Sequence, residues 1–503
     1  MASVERAVAE NLDLAWSQIG AGSGDLDLPD PIAFADVGAA WPAFRNETIR
    51  KIRDDEYHPT QVEIVDVPKD QLMVRPLARL QLRHRLVYDA AVYGLANTIS
   101  PLIPQAVYSY RWWRSQRRFL APTTSWIRMQ RDAKRFHKNH STWLLARTDI
   151  TSFYEYIDFG RLIDDLVSLH SPTWASATLR GFLSAFNNLN NVSGIPQGPD
   201  SSGLLANLYL RPVDLQLKDL GFTHYRYSDD ILIFGQNWLE LRDAILRINR
   251  TLRGRRLILS SGKTRIIDSH SVPAEFEDIE KDAITYGVRV GLPGAVGELR
   301  DFFNRTVSKE PVSPRNLRYS LTQLKRVQDD HAVGWLLSNV GEIPHLTREA
   351  LSYLSHFHAS RAEIANVVAD SLANSKLAFY PYAQQHLLIY LIHHGVASPA
   401  AIDAAWKLLV DRNIASFVRE FAARFLGRHS RLGDGARLRQ EFDQEPDMRV
   451  RRALLVACYE SRHCSNHFLT SIESSAPKLR ITARYLKTNP SQIPLPSFQG
   501  VSR

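Results

Sequence analysis

Two adjacent aspartates, Asp229 and Asp230, stand inside an otherwise alternating apolar stretch, residues 225–234. This pattern predicts a strand, a sharp turn and a second strand, with both carboxylates at the tip. Hard oxygen ligands held at one point outside a sheet suit Mg²⁺, which keeps several waters for a phosphate substrate. The first chemistry that the sequence indicates is therefore a metal-assisted reaction at phosphate.

A third carboxylate follows another candidate strand. The apolar run 143–146 leads into Asp149, well upstream of the aspartate pair. Three such acids can carry a two-metal site for nucleotidyl transfer, in which the metals activate a hydroxyl and neutralise a triphosphate. We therefore predict that Asp149, Asp229 and Asp230 are catalytic and bind two Mg²⁺ ions, with Mn²⁺ as the alternative metal.

The elements that must position these acids divide the chain into three parts. Residues 1–60 predict an N-terminal helical segment, and residues 61–307 predict an α+β fold with an antiparallel sheet and helices packed on it. A polar stretch with two prolines, 308–315, separates this part from residues 316–503, which are helical almost throughout. Similar segments about 30 residues apart predict HEAT-like helical repeats there, with an irregular helical bundle as the alternative.

Composition restricts the class of protein. The formal charge is +9 over 503 residues, which favours a polyanionic partner. Only two cysteines occur, which excludes a disulfide framework or a four-cysteine zinc site and is typical of a reducing cytoplasm. Neither a signal-peptide pattern nor an apolar run long enough for a membrane is present, so we expect a cytoplasmic protein without a membrane partner.

Five motifs in order resemble the palm of reverse transcriptases, over roughly residues 62–290. They are residues 149–154, residues 193–198 with 204–208, residues 227–230, residues 257–264 and residues 284–290. The resemblance implies right-hand polymerase fingers and a palm. It also implies that residues 284–290 form a pair of strands.

The same resemblance implies nucleotide-binding roles. Tyr154 is expected beneath the sugar, where its ring would exclude a 2′-hydroxyl and select dNTPs over NTPs. Gln197 and Gly198 open a predicted helix at 201–217, whose amide end favours anions and whose glycine permits close backbone approach. Lys263 is expected to protonate or bind the leaving pyrophosphate. The predicted dNTP-binding residues are Ile150, Tyr154, Gln197, Gly198, Lys263 and, with simple exposure as the alternative, the finger residues Lys69 and Arg75.

Two segments, 111–119 and 128–138, interleave cations with aromatic rings. That composition suits phosphate contact combined with base stacking, although a basic helix face with its aromatic residues in the core is the alternative. The predicted nucleic-acid-binding residues are Arg111, Trp112, Arg114, Arg117, Arg118, Arg128, Arg131 and Lys134.

The helical third stands where a reverse transcriptase thumb would be, and no RNase H, integrase or endonuclease module is recognisable. This combination resembles the prokaryotic abortive-infection and defence-associated reverse transcriptases. The resemblance implies antiphage defence by untemplated, protein-primed synthesis from dNTPs in a homo-oligomer, with single-stranded DNA attached to the protein. Two alternatives stay open: an RNA-templated enzyme of retron, intron or defence type that copies a noncoding RNA, and a noncatalytic nucleic-acid-binding scaffold.

Overall fold

The computed structural model of the protein describes residues 2–21, 27–169, 172–276, 278–357, 361–373, 377, 379–489 and 493–496. Two compact units are formed. The first comprises Met1–Ala21, Arg45–Val65 and Pro76–Ile279, and the second comprises Gly22–Phe44, Asp66–Arg75 and Glu280–Arg503. The predicted limits at 60 and 307 differ from this division and stay predictions.

The strands, numbered along the chain, are β1 (Glu63–Pro68), β2 (Val74–Arg79), β3 (Trp112–Trp113), β4 (Arg118–Phe119), β5 (Leu144–Thr148), β6 (Thr223–Tyr227), β7 (Asp230–Gly235) and β8 (Arg265–Ile267). The helices are α1 (Ala2–Ala21), α2 (Pro31–Ala39), α3 (Trp41–Arg53), α4 (Leu82–Ile99), α5 (Pro122–Asn139), α6 (Phe153–Tyr156), α7 (Phe159–Ser168), α8 (Thr173–Asn190), α9 (Asp200–Asp219), α10 (Trp238–Gly254), α11 (Val272–Phe276), α12 (Ile279–Val290), α13 (Ala295–Val307), α14 (Pro314–Arg326), α15 (Val333–Asn339), α16 (Thr347–Leu354), α17 (Arg361–Ala373), α18 (Pro381–His394), α19 (Pro399–Val410), α20 (Ser416–Arg428), α21 (Asp434–Gln444), α22 (Met448–Glu460), α23 (Asn466–Ser475) and α24 (Arg480–Thr488). Short 3₁₀ turns occupy Ser100–Leu102 and Pro344–Leu346.

A four-stranded antiparallel sheet of the order β6-β7-β5-β8 forms the centre of the first unit. The order places β5, which leads into Asp149, directly beside β7, which begins at Asp230. Because β6 and β7 form the predicted hairpin, Asp229 lies at the same end of the sheet. The α+β class with an antiparallel sheet is thus confirmed for this unit.

The two faces of the sheet are covered by different helices. Leu145, Phe234 and Ile267 form one core cluster with Met129 and Ala133 of α5. Since side chains alternate along a strand, Ile231 and Ile233 point to the opposite face, which α9 and α10 cover. The predicted helix at 201–217 is confirmed as α9, which also packs on α4 and is buried along most of its length.

One element of the predicted palm is wrong. Residues 284–290 are part of helix α12 and form no strand pair. Ile284 and Gly287, three positions apart, are buried, whereas Tyr286 and Val290, four apart, are exposed. This is the period of a helix with one buried face. The β-branched residues of the segment favour a strand by composition, and here the helical period of burial prevails over that preference.

The second unit is built from helices. α20 packs extensively against α22, and the neighbouring pairs α19 and α20, α21 and α22, and α23 and α24 are also in contact. Asp447 caps α22 by accepting from the amides of Arg449 and Val450. The segments that repeat in the sequence, 417–422, 449–453 and 478–483, fall on every second helix, namely α20, α22 and α24, which contact one another in that order. Their HEAT-like character stays a prediction. Within the described part of the chain, no helix is long and apolar enough to cross a membrane.

Candidate active site

β6 and β7 are joined by two residues, Ser228 and Asp229, which we call the aspartate turn. Tyr227 pairs with Asp230 across the hairpin, so the turn is as short as a hairpin allows. Ser228 adopts the left-handed conformation with φ 57°, as two-residue hairpin turns require. The predicted strand, turn and strand are therefore confirmed, and Asp229 lies beyond the end of the sheet.

Asp149 follows the last residue of β5 and meets a lysine from a distant part of the chain. The Lys263 Nζ atom lies 2.5 Å from the Asp149 Oδ2 atom. The amide of Ser260 donates to the Asp149 carbonyl oxygen at 2.8 Å, which holds the lysine-bearing loop against this aspartate. The Lys263 side chain is 54% exposed, so its ammonium group remains accessible beside the carboxylate.

Asp230 is held by an arginine that the sequence analysis did not single out. The Arg147 Nη2 atom donates to Asp230 Oδ2 at 2.9 Å, and its Nη1 atom donates to Glu275 Oε2 at 3.3 Å. Arg147 lies opposite Leu232 on β7, so both Arg147 and Asp230 face the side of the sheet that α5 covers. Asp230 therefore has a resident cation, as Asp149 does, and its predicted part in metal binding stays a prediction.

The three carboxylates influence one another. Burial, followed by the negative charge of Asp149, raises the pKa of Asp229 to about 6. Burial also raises the pKa of Asp230, although Arg147 opposes this effect. Partly buried carboxylates repel one another and are poorly hydrated. A bound cation reduces the repulsion and replaces the lost hydration, so such a group of acids favours cation binding.

The donor set fits a divalent metal in its chemistry, since carboxylate oxygens are the ligands that Mg²⁺ prefers. Among the residues that the structure describes, no group of three or more His, Cys, Asp or Glu side chains already converges as a metal cluster. Two of the three acids have a cation partner, Lys263 for Asp149 and Arg147 for Asp230. Asp149 and Asp229 are the residues that would hold a metal here.

Tyr154 lies in the short helix α6 after Asp149 and contacts the aspartate turn. Burial raises the pKa of Tyr154 to about 12, and the side chains of Ser228 and Tyr110 lie close enough to its hydroxyl to oppose that rise. The Tyr110 ring lies against Gly203 of α9, so closely that a Cβ atom on Gly203 would be 2.1 Å from the ring. The structure thus brings Tyr154 to Asp229, as its predicted role at the sugar requires, and adds Tyr110 as its neighbour.

Gln197 and Gly198 precede the N-terminus of α9, as expected. Gly198 has φ +125° and is exposed, and no atom lies within 4 Å of the position that a Cβ atom would take there, so the backbone is open to a ligand. The Gln197 carbonyl accepts from the amide of Ala78 at 3.0 Å. Ile150 is 1% exposed, and its backbone bridges Leu259, so a contact of Ile150 with a nucleotide would involve the backbone.

Lys69 and Arg75, the predicted finger residues, lie on the hairpin of β1 and β2. The amide of Lys69 donates to the Met73 carbonyl at 2.8 Å, and both basic side chains are exposed. Both residues fall in Asp66–Arg75, which belongs to the second unit. Their role in gripping a triphosphate stays a prediction.

The first basic segment, 111–119, is largely engaged in the fold. Arg111 donates to the carbonyls of Ile103 and Pro104, both at 2.9 Å. Trp112 is 5% exposed and packs against Tyr93, so it has almost no surface for a base. The exposed indole is that of Trp113, which is not among the predicted residues. For Trp112, the alternative interpretation, in which the aromatic residues of this segment belong to the core, is therefore the one that fits.

The remaining arginines of this segment have different surroundings. Arg117 donates to Asn11 Oδ1 at 3.3 Å. The Arg118 guanidinium lies 5.4 Å from the Trp113 ring centroid, and Arg114 is exposed.

The second basic segment forms one exposed face of α5, which we call the α5 basic face. Its members are Arg128, Arg131, Lys134, Arg135 and Lys138. The buried side of the same helix carries Met129 and Ala133. The N-terminal end of α5 contacts the residue before the aspartate turn, because Tyr227 Oη donates to the Pro122 carbonyl at 3.0 Å. The basic face therefore begins near the carboxylates and extends along the sheet.

Several residues that position the site were missed by sequence reasoning. They are Ser109, Tyr110, Arg147, Asn207, Asp214 and Arg226. A charged residue at an inward position of an alternating strand was the available signal for Arg226, which is fully buried. For the others the sequence offers no local sign, because their partners are distant in the chain.

Comparison with known proteins agrees with this geometry. Residues 67–286 match the family described as Reverse transcriptase (RNA-dependent DNA polymerase). No curated protein matches the chain.

Two solved structures illustrate the distance to known relatives. Telomerase from Candida albicans, in complex with a TWJ fragment of telomeric RNA, is 11% identical, with a TM-score of 0.31 over 73% of this chain and 67% of that chain. Apo telomerase from Candida tropicalis is 11% identical, with a TM-score of 0.33 over 76% and 74%. TM-scores this low support no conclusion of their own. Residues 67–286, which carry the three carboxylates and Tyr154, are the part of the chain that is similar to the reverse transcriptase family.

Proposed function

We propose that the protein is a Mg²⁺-dependent DNA polymerase that acts on dNTPs at Asp149, Asp229 and Asp230. The observation that supports this most strongly is the meeting of these acids at one sheet end, with Lys263 and Tyr154 beside them. The match of residues 67–286 to a family of RNA-dependent DNA polymerases agrees with it.

The chain's own groups have distinct tasks in this proposal. Asp149 and Asp229 would hold the metal and the triphosphate that comes with it, and Asp230, whose charge Arg147 offsets, would limit the negative charge of the site. When bound, two Mg²⁺ ions would lower the pKa of an attacking hydroxyl and neutralise developing charge on phosphate. The ammonium group of Lys263, which lies beside Asp149, would contact the leaving pyrophosphate. Tyr154 excludes a ribose 2′-hydroxyl.

We propose the α5 basic face as the surface that binds nucleic acid. Arg128 and Arg131 are 63% and 60% exposed, and the face shares its side of the sheet with Arg147 and Asp230. Regularly spaced cations that start near the reactive end suit the phosphates of a strand leaving or entering the site. Arg114, Arg118 and Trp113 extend this proposal to the β3–β4 hairpin.

A control for the α5 basic face exists on the other side of the sheet. Helix α10 also exposes arginines, namely Arg242, Arg250 and Arg253. Replacement of Arg128, Arg131 and Lys134 by glutamine should weaken binding of single-stranded DNA and flatten its salt dependence, whereas the triple glutamine variant of α10 should do neither. If both variants weaken DNA binding equally, the effect of the α5 variant is due to the loss of net positive charge alone and not to a binding surface on α5.

We further propose untemplated, protein-primed synthesis in the cytoplasm as an antiphage defence, by a homo-oligomer. The support is the resemblance to abortive-infection reverse transcriptases, together with the packed helix pairs of Glu280–Arg503, the segment of the second unit that is C-terminal to the carboxylates in the sequence. Helical arrays present extended surfaces for partners or further copies of the chain.

The decisive experiment uses nuclease-treated full-length protein, Mg²⁺ and each labelled dNTP, without primer or template. Label that migrates with the protein, is released by protease and is absent from Asp229→Ala supports self-primed, untemplated synthesis. Product that appears only after RNA is added supports the second candidate, an RNA-templated enzyme that copies a noncoding RNA, which the family description and the α5 basic face favour. If no dNTP is incorporated in either case but nucleic acid still binds, the protein is a noncatalytic scaffold.

A further inference from the structure

A closed ring of hydrogen bonds fixes the aspartate turn on the side of the sheet that α9 covers. Arg226 on β6 donates from Nη1 to Asn207 Oδ1 at 2.9 Å and to the Ser228 carbonyl at 2.8 Å. Asn207 Nδ2 donates to the Ser109 carbonyl at 2.8 Å. The ring closes because the amide of Ser228 donates to Ser109 Oγ at 2.8 Å. We call these four residues the Arg226 ring.

Within the ring, both the amide and the carbonyl of Ser228 are hydrogen-bonded. Ser228 stands next to Asp229 and has the positive φ that a residue with a side chain adopts reluctantly. Its amide and its carbonyl are both bound to members of the ring, so rotation of the turn would break at least one bond. Asp229 follows directly, so the direction of its carboxylate depends on the same two bonds.

The Arg226 guanidinium is itself fixed. It forms a bidentate pair with Asp214 of α9, from Nε at 2.8 Å and from Nη2 at 2.7 Å. Arg226, Asp214 and Ser109 are 0% exposed and Asn207 is 1% exposed. A buried ion pair is weak support for stability, because an apolar pair of similar volume often does as well. The location of the Arg226–Asp214 pair next to the aspartate turn points to a role in positioning the turn.

We infer that Arg226 is a positioning residue for Asp229, acting through the Ser228 carbonyl, with Ser109 holding the amide of the same residue. The inference rests on the proposed function of the carboxylates. It predicts that loss of the ring weakens metal binding and turnover without unfolding the domain.

The test separates positioning from stability by replacing the whole ion pair. In Arg226→Leu with Asp214→Leu, both charges of the pair are removed together, and His224, whose Nε2 atom lies 3.4 Å from Asp214 Oδ1, loses one neighbour, so the thermal midpoint should stay close to that of the wild type. The control is Arg419→Leu with Glu445→Leu, which removes another buried pair in the second unit, although Glu445 also pairs with Arg412. Arg419 also donates to a carbonyl, that of Leu409 at 2.9 Å, so both variants lose a bond from a guanidinium to a backbone carbonyl.

Two quantities are measured: Mn²⁺ affinity of the protein by electron paramagnetic resonance, and kcat for dNTP incorporation. For the Arg226 variant we expect Mn²⁺ affinity to fall at least several-fold and kcat about tenfold or more, as when one bond to a reacting group is lost. The control should change neither. Unchanged affinity and kcat in a folded Arg226 variant would overturn the inference.

If the double variant does not fold, a milder variant tests the same inference. Ser109→Ala removes only the acceptor of the Ser228 amide, and Ser320→Ala, a fully buried serine of the second unit, is its control. A smaller loss of Mn²⁺ affinity in Ser109→Ala supports the ring, and wild-type affinity overturns it. If the wild type binds Mn²⁺ at Asp229 yet incorporates no nucleotide, the proposed function fails while the affinity comparison still tests Arg226.

Discussion

A single methyl group at Gly203 should disturb the selection between dNTPs and NTPs. The Cβ atom of Gly203→Ala would lie 2.1 Å from Tyr110 Cγ and 2.2 Å and 2.4 Å from two further ring atoms. Ordinary carbon contacts need about 3.5–4.0 Å. The Tyr110 ring or the backbone of α9 must therefore move by more than about 1 Å, the difference between these distances and ordinary contact. Overpacking of this kind costs about 1–3 kcal/mol in the free energy of unfolding.

The displacement should reach Tyr154, because the Tyr110 and Tyr154 side chains are close enough to influence each other's pKa. We expect a several-fold fall in the ratio of kcat/KM for dATP to that for ATP, which corresponds to a change of about 1 kcal/mol in transition-state stabilisation. Single-nucleotide incorporation and thermal unfolding are measured on the same preparations.

The controls for Gly203→Ala use nearby residues. Tyr110→Phe removes the Tyr110 hydroxyl, which lies beside Tyr154, without overpacking and should lower the selectivity with little change in the unfolding midpoint. Tyr108→Phe is the matched variant, because its hydroxyl binds Asp132 of α5 at 3.0 Å instead. Full dNTP selectivity in both Gly203→Ala and Tyr110→Phe would refute the reasoning that Tyr110 supports Tyr154.

Three further predictions concern other parts of the molecule. Tyr154→Ala should raise incorporation of NTPs relative to dNTPs by at least about tenfold, whereas a Tyr154 that only packs in the fold would leave this ratio unchanged in a folded variant. Arg147→Leu removes the cation that opposes the rise in the pKa of Asp230, so kcat/KM should fall most at low pH and recover as pH rises; an equal loss at every pH would contradict this electrostatic role. Burial raises the pKa of Asp36 from 3.8 to about 6, so the folded protein binds this proton more tightly than the unfolded chain, and stability should decrease as pH rises from about 4 to about 6. Asp36→Asn should therefore raise the unfolding midpoint at about pH 7.5, by the equivalent of about 1–3 kcal/mol, and leave it nearly unchanged at about pH 4; no gain at the higher pH would show that the bond from Thr482 needs the carboxylate.

Features of the candidate site that lie within one short segment could be predicted from the sequence of that segment. The alternation around Asp229 and Asp230 predicts the hairpin because side chains alternate along strands and a two-residue connection leaves few turn types. The helix after Gly198, which the resemblance to reverse transcriptases implies, is confirmed as α9. Residues 284–290 show where the resemblance fails: it implies a strand pair, but Ile284 and Gly287 are buried with the period of a helix.

The carboxylates, the hairpin and the order of the palm motifs follow from the amino-acid sequence, because each depends on neighbours in the chain. The cation that each acid contacts depends on tertiary packing: Lys263 contacts Asp149 and Arg147 contacts Asp230. Tertiary packing also buries Trp112 while α5 exposes its cations, and it places Arg226, Asn207 and Ser109 around the aspartate turn. These partners come from segments far apart in sequence, and only the packing of α9 and the sheet brings them within hydrogen-bonding distance.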